Sequence, residues 1–312
     1  METTAGMKKV YHFCLSAGDS GVLCRTEEDY RYLINCLGLA GYVTQSLLLA
    51  YCVMSNHVHC CLRTDDVVGF IKRWRYTYTR YFNERYKRKG RLGQDPYIVE
   101  LNGLYHILTA IAYVLRNPMH HGVSATPFGY KYSSVNAIFR KEMGRDFIAH
   151  LPEKSMYAYL PHSVAIPDGY KMDVMGMFLP ECLIDVEDVE HMFSTARSYL
   201  YYMNRLSGKK WEDEQLADGT APITIDKIEQ GSGLSDFKAM LNNEFGRADY
   251  NAMSDMRLCE IIDKDYILSF DVASVYMLDV CTRRKLAKQI VCKYYISLTQ
   301  ACRCLGISSS SS

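Results

Sequence analysis

The chain has 312 residues, 48% of them hydrophobic and 23% charged, with a formal net charge of +1. That make-up describes a soluble globular protein of about two domains. No apolar run reaches the roughly 18–20 residues that cross a bilayer, and the first residues lack a signal peptide's apolar core. A membrane-spanning or exported protein is therefore not expected, and the cytoplasm is the expected compartment. The twelve cysteines read as free thiols. Cys60 and Cys61 are adjacent and Cys302-Arg303-Cys304 is C-x-C, so no structural zinc site is expected. Residues 1–150 hold 19 Lys and Arg against 12 Asp and Glu, whereas residues 151–312 hold 17 against 23. A basic half joined to an acidic half points to two domains, the first facing a polyanion.

In chain order, residues 10–16, rich in aromatic and β-branched side chains, predict a first strand. Thr26 then caps a helix with acids in its first turn, which Gly38 and Gly41 are expected to end. Two strands follow, over 45–54 and 57–63, joined by the tight Ser55-Asn56 connection. In the second of them His57 and His59 project from one face while Val58 enters the core. Two imidazoles side by side can hold a divalent cation. Ordinary polar residues on a solvated sheet face explain an isolated His-x-His equally well.

Residues 67–88 predict a long helix carrying Lys72, Arg73, Arg75, Arg80, Arg85, Lys87 and Arg88 against the single acid Glu84. Aromatic residues are interleaved among them, which suits phosphate neutralisation and base stacking. A solvated charged face over core aromatics would explain the rings but not the one-sided charge. A short strand at 97–101 precedes a helix from about Gly103 to Asn117, capped by Asn102 and stopped by Pro118. Tyr113 and Asn117 are four apart, hence on one helix face. By itself Tyr113 reads as a core aromatic.

Together, Met54-Ser55-Asn56-His57-Val58-His59, Tyr78-Thr79-Arg80-Tyr81-Phe82-Asn83, Gly90, Tyr113-Val114-Leu115-Arg116-Asn117-Pro118 and Tyr132-Ser133-Ser134 resemble, in order and spacing, single-tyrosine HUH transposases. More narrowly, they resemble the IS200-like, REP-associated tyrosine transposases. The resemblance covers roughly residues 8–140. It implies an α+β fold: a ferredoxin- or RRM-like antiparallel sheet with helices over 1–145, then a mostly α-helical C-terminal region. It further implies Mg²⁺ or Mn²⁺ on His57, His59 and Asn117, and Tyr113 as nucleophile. Arg116 joins the basic residues above as a DNA contact. The partner would be single-stranded or hairpin DNA, the protein a homodimer, and the location the nucleoid. Three departures stand out. Ser55 occupies a position usually held by Pro. Leu92-Gly93-Gln94-Asp95 lacks the usual Arg. His120 and His121, expected at the surface, stand where a basic residue is usual.

Residues 146–180, with several prolines, read as a connection, and 181–312 as a helical domain. Helices are expected over 187–206, 235–245, 254–263 and 269–279, with a polar stretch at 208–219. Residues 283–308 resemble a degenerate or truncated helix-turn-helix with a mainly structural role. The expected function is a metal-dependent endonuclease and strand transferase acting on single-stranded DNA through a 5′-phosphotyrosine. The alternative is a catalytically inactive nucleic-acid-binding protein on the same scaffold. A histidine-triad phosphohydrolase is disfavoured, because position 61 is Cys where that motif needs a third His.

Overall fold

The computed structural model describes residues 8–18, 21–145, 149–161, 164–204 and 253–309. Strands β1 (Lys9–Ser16), β2 (Leu47–Val53), β3 (His57–Thr64) and β4 (Tyr97–Leu101) form one antiparallel sheet in the order β2-β3-β1-β4. Helices α1 (Glu27–Val43) and α2 (Val67–Tyr86) supply the two crossovers. The chain thus runs β-α-β-β-α-β with the ferredoxin-like strand order, as expected of an α+β protein.

The register sets the two faces. β1 and β3 pair Cys14 with His59 and Ser16 with His57, and directly paired residues share a face. His12, Cys14, His57, His59 and Cys61 therefore line one side. Phe13 lies on the other, where its ring meets Phe70 and Trp74 of α2 with centroids 6.0 and 5.7 Å apart. Trp74 Nε1 donates to Leu33 O of α1 at 3.3 Å, so the two helices and the sheet close one core.

α1 opens at Thr26, whose hydroxyl accepts from Asp29 N, while Asp29 reaches back to the cap backbone. It does not end at Gly38 or Gly41. A Cβ on Gly38 would lie 2.3 Å from Leu183 Cδ2, and one on Gly41 2.7 Å from Leu48 Cδ1. Both glycines let neighbours approach the helix instead of terminating it.

The histidine face is covered by α3 (Leu104–His120), which departs from expectation at both ends. Its N-cap is Gly103 at φ 87°, a conformation suited to glycine, and not Asn102. Nor does Pro118 stop it. Pro118 lacks the N–H that would bond to Val114 O, but beyond it His121 N donates to Asn117 O and Pro118 O accepts from Val123 N, so the chain makes one more turn. The extra turn carries His120 and His121 along the face of the sheet. α3 is buried without a break from Leu108 to Pro118, because later chain covers its outer side.

The later chain holds α4 (Glu153–Met156), α5 (Pro180–Leu183), α6 (Val186–Phe193) and α7 (Ala196–Asn204), of which α6 and α7 pack on α3 and α5 packs on α1. The single helix expected over 187–206 is broken between α6 and α7 at Ser194, φ 65°. The break turns Phe193, Tyr199 and Met203 into the sheet's own core, and Tyr199 Oη donates to Val135 O at 2.8 Å. Residues between 149 and 180 are tied to α1 through Asn35, whose amide binds Tyr159 O, Gly176 O and Phe178 N.

A second apolar cluster gathers Val22 with α8 (Asp255–Ile261), α9 (Val280–Tyr294) and α10 (Leu298–Leu305). The helix expected over 269–279 is instead two short turns, Ile267–Phe270 and Val275–Met277. Ser274 Oγ donates to Tyr86 O, and the Tyr276 ring meets both the Tyr86 ring and the Arg25 guanidinium. These contacts hold the segment extended across the end of α2. α9, α10 and the left-handed Gly306 follow in the order expected of the first parts of a helix-turn-helix. The helix expected over 235–245 and the polar stretch 208–219 lie outside the described residues. Among the described residues no helix is long and apolar enough to cross a membrane.

Candidate active site

β3 begins at His57, directly after a turn closed by Met54 N donating to His57 O at 2.8 Å. From the opposite side α3 presents Tyr113 and Asn117 on one face. His57 Nε2 lies 2.9 Å from Asn117 Oδ1, and Asn117 Nδ2 donates to Tyr113 Oη at 3.4 Å. The His59 ring meets the Tyr113 ring edge-on, with centroids 5.3 Å apart. The four residues singled out in the sequence thus lie together in one interior polar cluster.

His57 Nδ1 is also 2.9 Å from Asn56 Oδ1, so both ring nitrogens face amide oxygens. A neutral imidazole carries one N–H and can donate to only one of them. If the donation goes to Asn56, the lone pairs of His57 Nε2 and Asn117 Oδ1 face each other at 2.9 Å. That contact is unfavourable without a cation. It is also the spacing of adjacent ligands on an octahedral ion with bonds of about 2.1 Å, roughly 3 Å. The spacing is compatible with a divalent ion, whereas the other tautomer, with His57 Nε2–H donating to Asn117 Oδ1, makes an ordinary hydrogen bond that needs none.

His59 has a partner that the sequence reading missed. Its Nδ1 is 3.0 Å from His12 Nε2 on β1, and its Nε2 is 3.9 Å from Cys14 Sγ. Burial pushes His59 well below the usual imidazole range, helped by the charges of His57, His12, His121 and His120. Burial likewise pushes His12 down to about 3. Both rings are thus held neutral. If His59 Nδ1–H donates to His12, His59 Nε2 keeps a lone pair for a metal. Strand alternation could have placed His12 on a face with Cys14, but not shown that β1 lies beside β3. Replacing His12 by Phe leaves His59 Nδ1 without a partner where water does not reach. We expect a loss of about 1–3 kcal/mol, measurable by denaturant unfolding. Unchanged stability would show that the His12–His59 contact contributes nothing.

Among the described residues no three His, Cys, Asp or Glu side chains gather as a metal-binding group. An ion here would depend on the carboxamide of Asn117. The expectation that His120 and His121 lie at the surface is corrected. The last turn of α3 brings the His121 ring 5.0 Å from His57, and the His120 ring 6.1 Å from Tyr113. The cluster is closed: Tyr113 is 5% exposed, His57 2%, and His59, His12 and Asn117 0%.

The basic residues are divided. Lys72, Arg73, Arg80 and Lys87 are exposed along α2. Arg75 donates to Gln94 O, and Arg88 to Asn83 Oδ1, Gly90 O and Arg91 O. Arg85 is drawn inward by Glu28 and Asp29 at 2.5 and 3.7 Å, and Arg116 is buried on α3. Trp74, Tyr78, Phe82 and Tyr86 belong to the core, while Tyr76 is exposed.

A ferredoxin-like sheet bearing an interior His-Tyr-Asn cluster is the class of protein these features define. No family model matches the chain, and no curated protein matches it. Among solved structures it is similar to a REP-associated tyrosine transposase bound to a REP hairpin. The TM-score is 0.37 and the identity 14%, over 46% of this chain and 85% of that one. So distant a likeness says nothing of chemistry.

Proposed function

We propose that the protein is a metal-dependent endonuclease and strand transferase for single-stranded DNA, with Tyr113 as its nucleophile. The carrying observation is the chain of contacts from His57 Nε2 through the Asn117 amide to Tyr113 Oη, at 2.9 and 3.4 Å. His57, His59 and Asn117 would hold Mg²⁺ or Mn²⁺. When bound, such an ion neutralises phosphate oxygens and orients phosphorus for in-line displacement.

The remaining work belongs to the side chains. A phenol with a pKa of about 10 is mostly protonated at neutral pH and needs activation. The N–H of Asn117 donates to Tyr113 Oη, which fixes the direction of the attacking oxygen. Attack forms the Tyr113 Oη–P bond and breaks the P–O3′ bond. The products are a 5′-phosphotyrosine on the downstream fragment and a free 3′-hydroxyl upstream. Reversal by another strand's 3′-hydroxyl rejoins DNA without a nucleotide cofactor. A homodimer acting on hairpin or palindromic DNA completes the reading.

A phosphodiester reaches the closed cluster only if α3 or the His120-His121 turn moves away from the sheet. That closure favours a second reading, in which the cluster is structural and the protein only binds nucleic acid. The experiment is to incubate the protein with hairpin oligonucleotides labelled at either end, in Mn²⁺ or Mg²⁺, and seek denaturant-resistant adducts. The first reading expects label retained from the 3′ end alone. Tight binding with no adduct in either metal supports the second.

A further inference from the structure

Beyond the histidine cluster, the largest concentration of unabsorbed charge lines a cavity of about 620 Å³ between the two halves of the chain. Lys87, Arg88, Lys89 and Arg91 form one wall, and Arg283 of α9 with Tyr276 of the turn before it form the other. Among the described lining residues none is Asp or Glu. The geometry gathers these cations instead of spreading them. α2 ends in the left-handed region at Lys87, φ 52°, so the chain reverses and the following basic residues fold back beside it. The Arg88 guanidinium ties that loop together through Gly90 O and Arg91 O at 3.1 and 2.6 Å.

Across the cavity Arg283 Nη1 donates to Leu305 O and Gly306 O, at 3.2 and 2.9 Å. Its Nε is buried without a hydrogen-bond partner, while other parts of the residue line the cavity. The nearby acids do not supply that partner. Asp95 pairs with Arg91, and Asp279 is engaged by Thr282 at the start of α9. Besides Arg91, which pairs with Asp95, the lining gathers Lys87, Arg88, Lys89 and Arg283, a local excess of positive charge that favours a bound anion.

The position of the cavity narrows the anion. Ala17, in its lining, donates its N–H to Asn56 O at 2.7 Å, and Ser16 pairs with His57 across the sheet. The pocket thus adjoins the turn that presents His57. We propose that this cavity is a phosphodiester-binding site that grips a nucleic-acid strand between the α2–β4 loop and the C-terminal helices. The proposal rests on the nucleic-acid reading above but needs neither the metal nor the nucleophile. It gives the C-terminal helices a binding role beside the mainly structural one expected from sequence.

The test uses full-length protein in the Tyr113→Phe background with EDTA, so that chemistry and metal are both silent. Fluorescence anisotropy follows a labelled oligothymidylate of about 16 nucleotides, over roughly 50–200 mM salt. Lys87→Glu/Lys89→Glu changes two exposed side chains. It should weaken binding at least ~10-fold and flatten the log–log salt slope by about 1.4, two phosphates' worth for a single strand. Arg283→Gln, with its thermal unfolding checked in parallel, should flatten the slope by about 0.7. Wild-type affinity and slope in both variants overturn the proposal. So does displacement of the strand by inorganic phosphate or a mononucleotide as effectively as by unlabelled strand, since the cavity would then be a small-phosphate site. If the strand-transfer reading fails and no adduct ever forms, these binding results still stand by themselves.

Discussion

A His57→Ala protein is expected to bind Mn²⁺ at least ~100-fold more weakly than the parent and to form no DNA adduct, whereas Tyr113→Phe should keep the ion and lose only the adduct. The separation follows from where the atoms lie. His57 Nε2 and Asn117 Oδ1 face each other at 2.9 Å, while Tyr113 Oη accepts from the amide nitrogen of Asn117 at 3.4 Å. Deleting a residue that merely orients a ligand commonly costs 10–100-fold in metal affinity, so removing a ligand should cost at least the top of that range. Removing the phenol oxygen withdraws an acceptor from Asn117 Nδ2 but leaves Oδ1 free to bind. Electron paramagnetic resonance of free Mn²⁺ reports the first quantity, and a denaturing gel the second. Equal Mn²⁺ affinity in the parent and both variants would mean that His57 and Asn117 hold no ion, and the metal-dependent reading would fall.

How far the site could be read from sequence depended on whether the signal was local. His57 and His59 share a face because strand period is two, and Tyr113 and Asn117 share one because they are four apart in a helix. Neither fact needs a tertiary structure. His12 could not be read in the same way. Its contact with His59 is diagonal across β1 and β3, and strand order is not written in any local pattern. The chain's end-of-helix signals misled for a related reason. Gly38 and Gly41 look like stops, yet Leu183 and Leu48 occupy the space that their missing side chains leave. Pro118 looks like a terminator, yet the next turn finds other carbonyls, and that turn delivers His121 to His57. The aromatic residues of α2 were ambiguous between stacking and core, and packing against Phe13, Tyr276 and one another settles most of them inside.

Ser55 shows how a local departure acquires meaning only in three dimensions. Its hydroxyl donates to Asp255 Oδ2 at 2.7 Å, a link of 200 residues that no sequence pattern announces. The carboxylate also accepts from Arg303 Nε and Nη2, both at 2.9 Å, and from Gln300 Nε2 at 3.0 Å. The turn that presents His57 is therefore fastened to the C-terminal helices by one buried anion.

Arg303→Leu should accordingly destabilise the protein by about 3–5 kcal/mol, because it leaves Asp255 buried without its countercharge. The double variant Arg303→Leu/Asp255→Leu should cost clearly less, since no uncompensated charge then remains. Acid should imitate the loss. Burial by itself would push the Asp255 carboxyl up, but the charge of Arg303 and the hydrogen bonds from Arg303, Ser55 and Gln300 outweigh it and hold the group below its ordinary value. A carboxyl whose folded pKa lies below the unfolded value of about 3.9 contributes its stabilisation fully above that value. The contribution fades as pH falls through the folded pKa. Denaturant unfolding followed by far-UV circular dichroism should therefore show the parent's stability falling below about pH 4 more steeply than the double variant's. Amide hydrogen exchange under the same conditions should open α8 and α10 before β1 and β3, because the former carry Asp255, Gln300 and Arg303 while the sheet meets this anion only at the Ser55 turn. A single variant no less stable than the double would show that the pair carries no net charge penalty, and that packing alone fastens the C-terminal helices to the turn.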